Sequence, residues 1–332
     1  MMKWIQLLKV NPVPLLLRSD NEALVYFTKR DLLDEEVGSV DRLWRLPGVE
    51  KILRGQQDDG SWKYSGGDER IRSVTNYNQL QTYRILRVLV EKYGLNKNHP
   101  AIGNAGGFLF SCQTREGDFR GIYANQFTPN YSAGIMELLI KAGYEDDKRI
   151  KRGFEWLLSI RQDDGGWAIP FRTAGKRLSV AFYEQDKLET IKADKMKPSS
   201  HLVTGIVLRA FAAHGEYRKS KEAREAGQFL KSQFFKRDKY PDRVSASYWT
   251  KFSYPFWWTD ILSSLDSLSL LGFRREDPDV EKALDWFGRN QEASGLWRAS
   301  YGNPKDENVE LWIALAVCRV LKRFHVGRSS YT

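Results

Sequence analysis

Two side chains that can move a proton or bind a metal stand at the starts of apolar runs. His201 opens one such run, and Asp260 opens another. A histidine beside a carboxylate can act as general acid and base, or supply two ligands to a metal completed by Glu310 or Asp306. The local alternative is that Asp260 caps its helix and His201 bonds to a loop carbonyl.

Segment 247–258, directly before Asp260, is dense in aromatic side chains. If Tyr254, Trp257 and Trp258 face an internal cavity, they form a wall suited to an isoprenoid chain, a sugar face or a carbocation. Aromatic residues at such spacing also serve as ordinary core packing. The segment therefore predicts a ligand-binding wall, with core filling as the alternative.

Other candidate ligand-binding residues occupy similar places in the remaining apolar runs. An Asn-Tyr pair recurs at the starts of two runs, and an arginine and a tryptophan lie one or two helical turns deeper in two others. These candidates are Asn76, Tyr77, Asn130, Tyr131, Arg209 and Trp312. We expect them to line the same site as the aromatic segment.

A repeated turn positions these residues. A helix-like run ends in glutamine, and a Gly-containing turn then leads to an aromatic residue. Four copies are plain, and a fifth keeps only its preceding helix and Gln233; the plain copies span residues 57–62, 113–119, 162–167 and 291–297. Copies spaced by roughly 50 to 70 residues indicate a repeat architecture in which neighbouring units bury each other's apolar faces.

Each repeat joins an amphipathic helix before the turn to a nearly all-apolar helix after it. This pattern predicts one helix with a solvent-exposed face and one buried helix per unit. Closed into a ring, these give an all-α (α/α) toroid of about six helical hairpins, in two concentric layers around a central cavity. We expect one domain over residues 1–332, with an N-terminal hairpin at 1–40 and five repeats at 41–327. The long loops of repeats three and four, 168–200 and 234–257, should crowd one mouth of the ring.

Capping chemistry predicts where these helices begin and end. The expected outer-helix starts are Asn98 with Pro100, Asp146 or Asp147, Ser220, and Asp277 with Pro278. The expected inner-helix ends are Gly94, Gly143, Gly215, Gly272 and Gly327.

Composition narrows the functional classes. The 332 residues carry 52 Lys and Arg against 42 Asp and Glu, but the charges are interspersed, and we do not expect nucleic-acid binding. Cys112 and Cys318 lie in apolar runs, which is typical of a reducing compartment, and we expect a cytoplasmic protein. No signal peptide or membrane span is expected, and peripheral membrane contact stays open. The sequence indicates neither a cofactor nor an oligomeric state.

The turns resemble the QW repeats of squalene-hopene-type terpenoid cyclases and the related repeats of protein prenyltransferase β subunits, over about residues 40 to 325. This resemblance to the α/α-toroid superfamily implies a structural role for Gln57, Trp62, Gln162, Trp167, Gln291 and Trp297. It also implies an apolar, isoprenoid-like small-molecule ligand in an aromatic central cavity, with His201 and Asp260 as polar groups at its mouth.

Two departures from the family patterns leave catalysis open. The Asp-x-Asp-Asp acid of class II cyclases is absent, and the nearest string, residues 144–147, is placed to cap a helix. The prenyltransferase zinc motif matches only in His201, because no cysteine follows Asp260 at the required spacing, and no metal site is predicted with this motif. A carbohydrate-active lyase or hydrolase, and a non-catalytic binding or scaffold module, remain as alternatives.

Overall fold

The chain is helical, and the computed structural model describes residues 3–177, 180, 189–240, 243–300 and 306–326. The α-helices, in chain order, are α1 (Val13–Leu17), α2 (Glu22–Leu33), α3 (Pro47–Leu53), α4 (Val74–Tyr93), α5 (Pro100–Ser111), α6 (Pro129–Leu139), α7 (Lys148–Ser159), α8 (Pro170–Thr173), α9 (His201–Ala213), α10 (Lys221–Ser232), α11 (Ile261–Leu270), α12 (Pro278–Arg289) and α13 (Val309–Val326). Short 3-10 helices occupy Lys3–Leu7, Val40–Arg45, Tyr217–Lys219 and Ala246–Thr250, and a π-helical turn follows α6 at Ile140–Tyr144.

The inner helices form a closed ring. Each packs against the next, in the order α2, α4, α6, α9, α11, α13 and back to α2. Among the outer helices, α3 and α5 pack against α4, and α7 packs against α6. In the same way α10 packs against α9, and α12 packs against α11. The predicted all-α toroid with two concentric layers is therefore confirmed, and its division into repeats stays a prediction.

The two layers follow from the apolar pattern of their helices. On the outer helix α12 the buried side chains are Val280, Ala283, Leu284 and Phe287, spaced three or four residues apart. On the inner helix α9 every residue from His201 to Ala212 is buried. A helix with one apolar stripe covers the ring from outside, whereas a helix that is apolar all round belongs inside it.

The helix caps agree in part with the expected ones. Asp147, Ser220 and Asp277 cap their helices, but α5 is capped by His99 rather than Asn98. Gly94, Gly143 and Gly272 have left-handed φ angles as expected. The expected end of α9 at Gly215 is wrong, because His214 in extended conformation already ends that helix. Gly327 lies outside the described residues.

The repeated turn is held by two side-chain hydrogen bonds. In the three copies that have tryptophan, the indole nitrogen donates to a carbonyl near the end of the preceding outer helix, as Trp167 Nε1 does to Leu157 O at 2.7 Å; the second copy has Phe119 instead. Its glutamine bridges to the next unit: Gln113 Nε2 donates to Gly117 O in its own turn and to Arg149 O at the start of α7, both at 2.8 Å. The turn therefore closes itself and links neighbouring outer helices.

The structure corrects the register of two turns. In the first turn Gln56, not Gln57, donates to Gly60 O and to Ala101 O, at 2.9 and 2.8 Å. In the third turn the same place is held by Arg161, whose Nε donates to Gly165 O at 3.0 Å. The bridging side chain stands six residues before the aromatic residue in every plain copy. Aligning the copies on Gln57 and Gln162 missed this common spacing.

The last turn closes the ring with the same device. Gln291 Nε2 donates to Val10 O at 2.8 Å, and Val10 N donates to Gln291 Oε1 at 3.0 Å. The N-terminal segment thus takes the place that the next outer helix occupies elsewhere.

Candidate functional site

Asp260 caps α11 and is almost completely buried. Its Oδ1 accepts from Ser263 N at 2.7 Å, and Ser263 Oγ accepts from Asp260 N at 3.0 Å. Its Oδ2 has no hydrogen-bond partner in the described chain. Burial raises the pKa of Asp260 to about 7, because an ionised carboxylate loses its hydration here. The carboxyl is therefore substantially protonated at neutral pH.

His201 is the first residue of α9, and its partners are local. Its ring lies against Trp249, with 4.5 Å between ring centroids, and its Nε2 is 3.8 Å from Asp238 Oδ2. Asp238 also accepts from Ser200 Oγ at 2.7 Å and from Leu202 N at 3.0 Å. Burial lowers the pKa of His201 despite the Asp238 charge, so its imidazole is neutral at pH 7.

The two predicted polar groups are on neighbouring helices but do not pair. Within the described part of the chain no hydrogen bond or ion pair joins His201 to Asp260; the link between their helix starts is Thr259 Oγ1, which donates to Leu202 O at 2.6 Å. Asp306 forms an ion pair with Lys92 instead of completing a metal site. Among the described residues no cluster of three His, Cys, Asp or Glu side chains could hold a metal ion. A catalytic role for His201 stays a prediction.

Trp257 and two tyrosines form what we call the aromatic wall: Tyr83 on α4, Tyr131 on α6 and Trp257 before α11. The ring centroid of Trp257 is 5.2 Å from that of Tyr83 and 6.5 Å from that of Tyr131. Trp257 and Tyr131 are only half-buried, so part of the wall is open. The guanidinium carbons of Arg87 and Arg84 lie 5.0 and 5.8 Å from the Trp257 ring centroid.

Tyr254 lies in the same loop as Trp257 and contacts α13. Its ring is parallel to that of Trp312 on α13, with 5.6 Å between centroids. Its hydroxyl accepts from Arg319 Nη1 at 3.2 Å and donates to Glu91 O at 3.3 Å. One loop thus contacts α4, α6 and α13.

A buried network of charges lies behind the aromatic wall. Arg209 Nε donates to Glu137 Oε2 at 3.0 Å, Lys141 Nζ lies 2.8 Å from Glu137 Oε1, and Lys141 also pairs with Glu91 at 2.6 Å. Burial alone would raise the pKa of Glu137, but Arg209 and Lys141 outweigh it and lower that pKa to about 2. Arg209 Nη1 also donates to Trp258 O at 3.3 Å, which connects the network to the aromatic segment.

The remaining predicted ligand-binding residues are divided. Tyr77 exchanges hydrogen bonds with the Asp68 backbone, at 3.1 and 3.2 Å, and packs on Tyr64. Asn76 is half-buried beside Gly121. Asn130 is buried, and its Oδ1 has no partner in the described chain.

Two cavities lie away from the aromatic wall. A cleft of about 730 Å³ lies between the 3-10 helix Val40–Arg45, α3 and the start of α5. A much smaller one, about 10 Å³, lies beside Ser200 and Asp238. Neither is lined by a residue of the aromatic wall.

Sequence reasoning missed Tyr83, Arg87, Glu137 and Asp238. Glu137 is the one of these that the sequence could have disclosed, because it is a lone carboxylate inside an otherwise apolar helix. Such a carboxylate is seldom buried without a cation. Arg209, in an equally apolar helix, was its natural partner.

A family model matches the stretch of chain that carries Asp260 and Trp257. The model describes the squalene-hopene cyclase C-terminal domain, and it matches residues 123–311, more than half of the chain. The chain belongs to this family. Within the family match lie α6, α9 and α11, whereas Tyr83 and Arg87 on α4 precede it.

Members of this family are found among the similar curated proteins. A squalene–hopene cyclase from Bradyrhizobium diazoefficiens is 28% identical over 153 residues, which is 46% of this chain and 21% of that enzyme. Enfumafungin synthase from Hormonema carpetanum is 23% identical over 261 residues, 73% of this chain and 17% of that protein. The chain spans about a fifth of the length of these relatives.

Similar solved structures include proteins of different activities. The type II terpene cyclase MstE from Scytonema is 14% identical with a TM-score of 0.30, covering 86% of this chain and 98% of that one. A polysaccharide lyase is 14% identical with a TM-score of 0.45, covering 94% of this chain and 92% of that one. Likeness at this level says nothing about activity.

This member of the squalene-hopene cyclase family has no helix, within its described residues, that is both long and apolar enough to cross a membrane.

Proposed function

We propose that the protein binds an apolar, isoprenoid-like ligand on the aromatic wall. The observation that carries the proposal is the half-buried state of Trp257 and Tyr131, which pack with the buried Tyr83 where α4, α6 and the start of α11 meet. Large aromatic rings left partly open inside a concave site offer apolar contact to a ligand. The family match supports the isoprenoid class of that ligand.

Asp260 supplies the polar group of the proposed site. A carboxyl with its pKa raised to about 7 can remain neutral near a hydrocarbon, and its unpartnered Oδ2 is free to donate a proton. We assign to Asp260 the role of proton donor, by chemistry rather than by motif, because the Asp-x-Asp-Asp string is absent.

The charges around Trp257 limit the chemistry that we propose. Arg84 and Arg87 already lie over its ring, so a carbocation there would meet two cations at short range. The aromatic wall therefore suits a neutral chain or ring better than a cationic intermediate. Binding is the core of the proposal, and proton transfer from Asp260 is its second step.

Binding can be tested with squalene as the probe. Protein purified without detergent is first examined by mass spectrometry for bound lipid, and squalene uptake is then measured for the native chain, Trp257→Phe and Trp257→Ala. We expect Trp257→Phe to retain uptake and Trp257→Ala to lose it. Equal uptake by all three proteins would refute the wall as the binding site, and binding of polyuronide in place of squalene would favour the carbohydrate-active alternative.

Proton transfer is tested separately with Asp260→Asn. This variant keeps an oxygen that can cap α11, and it should bind squalene normally. Any conversion of squalene by the native chain should disappear in the variant. Conversion that persists in Asp260→Asn would remove Asp260 from the proposal and leave the binding site untouched.

A scaffold function is the second candidate, and one observation favours it. Tyr254 and Trp257 contact three inner helices from within the ring, as interior packing would. If this is their whole role, Trp257→Ala should lower the free energy of unfolding by about 3 to 5 kcal/mol while no lipid binds to any variant.

A further inference from the structure

The cleft of about 730 Å³ lies on the outside of the ring, away from the aromatic wall. Its volume is within the range of small-molecule sites, roughly 300 to 1,000 Å³. The residues that line it are Asp41, Arg42, Trp44, Arg45, Glu50, Leu53, Arg54, Asn98, His99 and Pro100. We call it the arginine cleft.

Two of its three arginines are not neutralised by an ion pair. Arg42 has its guanidinium carbon 5.0 Å from the Tyr26 ring centroid, and within the described residues neither Arg42 nor Arg45 has a carboxylate partner within ion-pair distance. Arg54 reaches Glu50 only at 4.0 Å, between two exposed side chains. Solvent weakens such an exposed pair. Asp41 is the other carboxylate here, so positive charge exceeds negative charge.

His99 adds a neutral hydrogen-bond donor to the arginine cleft, whereas the indole nitrogen of Trp44 is enclosed. Trp44 Nε1 is buried and has no acceptor in the described chain. Its ring meets the His99 ring edge to face at 5.7 Å. His99 Nδ1 accepts from Ala101 N at 3.2 Å, so the proton of the neutral imidazole is on Nε2, which becomes a donor.

The positive end of α5 points to the same place. His99 caps this twelve-residue helix, and Pro100, its first residue, lines the cleft. The partial positive charge of a helix N-terminus favours an anion and adds to the arginine charges. The guanidinium groups and the His99 imidazole N–H are hydrogen-bond donors, and together with the positive helix end they favour an anionic ligand rich in acceptors.

We propose that the arginine cleft binds a phosphate-bearing small molecule, with Arg42 and Arg45 holding the phosphate. Arginine forks match the geometry of phosphate oxygens, and the volume leaves room for a body attached to the phosphate. The phosphate is carried either by a soluble compound or by a lipid headgroup, which share this chemistry. The site is independent of the ligand proposed for the aromatic wall.

Isothermal titration calorimetry with inorganic pyrophosphate tests the soluble source. Co-sedimentation with phosphatidylcholine vesicles, with and without phosphatidic acid, tests the lipid source. We expect phosphate-dependent binding in at least one arm. In that arm Arg42→Gln combined with Arg45→Gln should weaken binding by about tenfold or more.

The control is Arg274→Gln, which removes one exposed positive charge on the loop between α11 and α12, outside the lining of the arginine cleft. It should bind like the native chain, which separates a built site from a general effect of net charge. Thermal unfolding of each variant shows that it is folded, and the substituted arginines are all exposed. Absence of phosphate-dependent binding in both arms, or equal weakening by Arg274→Gln, would overturn the proposal.

Discussion

The turns of the outer layer and the centre of the ring differ in how their buried polar groups are partnered. In a turn such as 113–119, each buried donor finds an acceptor within a few residues or at the next helix start. At the centre, Asp260 Oδ2, Arg209 Nη2 and Arg87 Nε are buried without a partner in the described chain. Unpartnered buried groups cost about 1 to 3 kcal/mol each. A fold keeps such groups where something other than stability requires them.

The difference also separates local from distant interactions. A turn is closed by residues of one repeat and the next, whereas the central charges come from α4, α6 and α9. We therefore expect substitutions at the centre to change the free energy of unfolding most. Substitutions in the turns should cause smaller changes that recur from copy to copy. Variants of both regions test this contrast.

The largest effect is expected at Arg209. Arg209→Leu leaves Glu137 buried with Lys141 as its remaining ion-pair partner, and breaking a buried pair from one side costs about 3 to 5 kcal/mol. Chemical denaturation measures the free energy of unfolding. Arg298→Leu is the control, because Arg298 pairs with Glu292 at 2.6 Å on the surface, with 83% of its side chain exposed. A loss below about 1 kcal/mol at Arg209 would show that the central network adds little stability.

Asp260 makes stability depend on pH. Its pKa is about 7 in the folded chain, while an unfolded aspartate titrates near 4, so between these values the folded chain alone holds the proton. Stability due to this group is full below about pH 4 and is lost as pH rises through 7. The native chain should therefore lose about 3 kcal/mol relative to Asp260→Asn between about pH 5 and pH 8.

Urea unfolding of both proteins at the two pH values provides the measurement, and the difference between them cancels the other titrating groups. A constant difference would mean that the carboxyl is ionised throughout, which would also weaken its role as a proton donor.

Gly60 tests the geometry of a turn. Its φ is +86°, and a Cβ there would collide with the Asn104 carbonyl of the neighbouring outer helix α5. Gly60→Ala should destabilise the protein by about 2 to 3 kcal/mol, combining left-handed strain with the clash. Gly48→Ala, on α3 with no atom near its added Cβ, should be neutral or slightly stabilising. Similar thermal unfolding of the two variants would contradict a special role for the turn glycine.

The same contrast explains what the sequence could predict. The turns and the two kinds of helix follow from short-range patterns, and the all-α toroid could be predicted from them. The register of the first turn is an exception. Gln56 and Gln57 are adjacent and identical, so residue type alone could not say which one bridges to Ala101. The common spacing of six residues to the aromatic position resolves it, and Gln113 and Gln291 already show this spacing in the sequence.

The centre could be predicted only in part. Its aromatic residues were found because segment 247–258 is unusual in composition. Its charges were missed, apart from Arg209, because pairing between α6 and α9 depends on how far each helix is shifted along its neighbour. The contacts of Tyr254 with Trp312 and Arg319 likewise depend on the path of one loop, which no periodic pattern encodes.

The smallest and sharpest test uses the two adjacent glutamines of the first turn. Gln56→Met removes donors to Gly60 O and Ala101 O, and it should lower the free energy of unfolding by about 2 kcal/mol. Gln57→Met removes one bond to Ser61 Oγ, within its own turn, and should cost about 0.5 to 1 kcal/mol. Both variants keep the side-chain length and carry no charge, so the difference reports the bridge to α5. If Gln57→Met proves the more costly, the first turn has the register that its sequence suggested, and the bridge between outer helices is not what makes this turn recur.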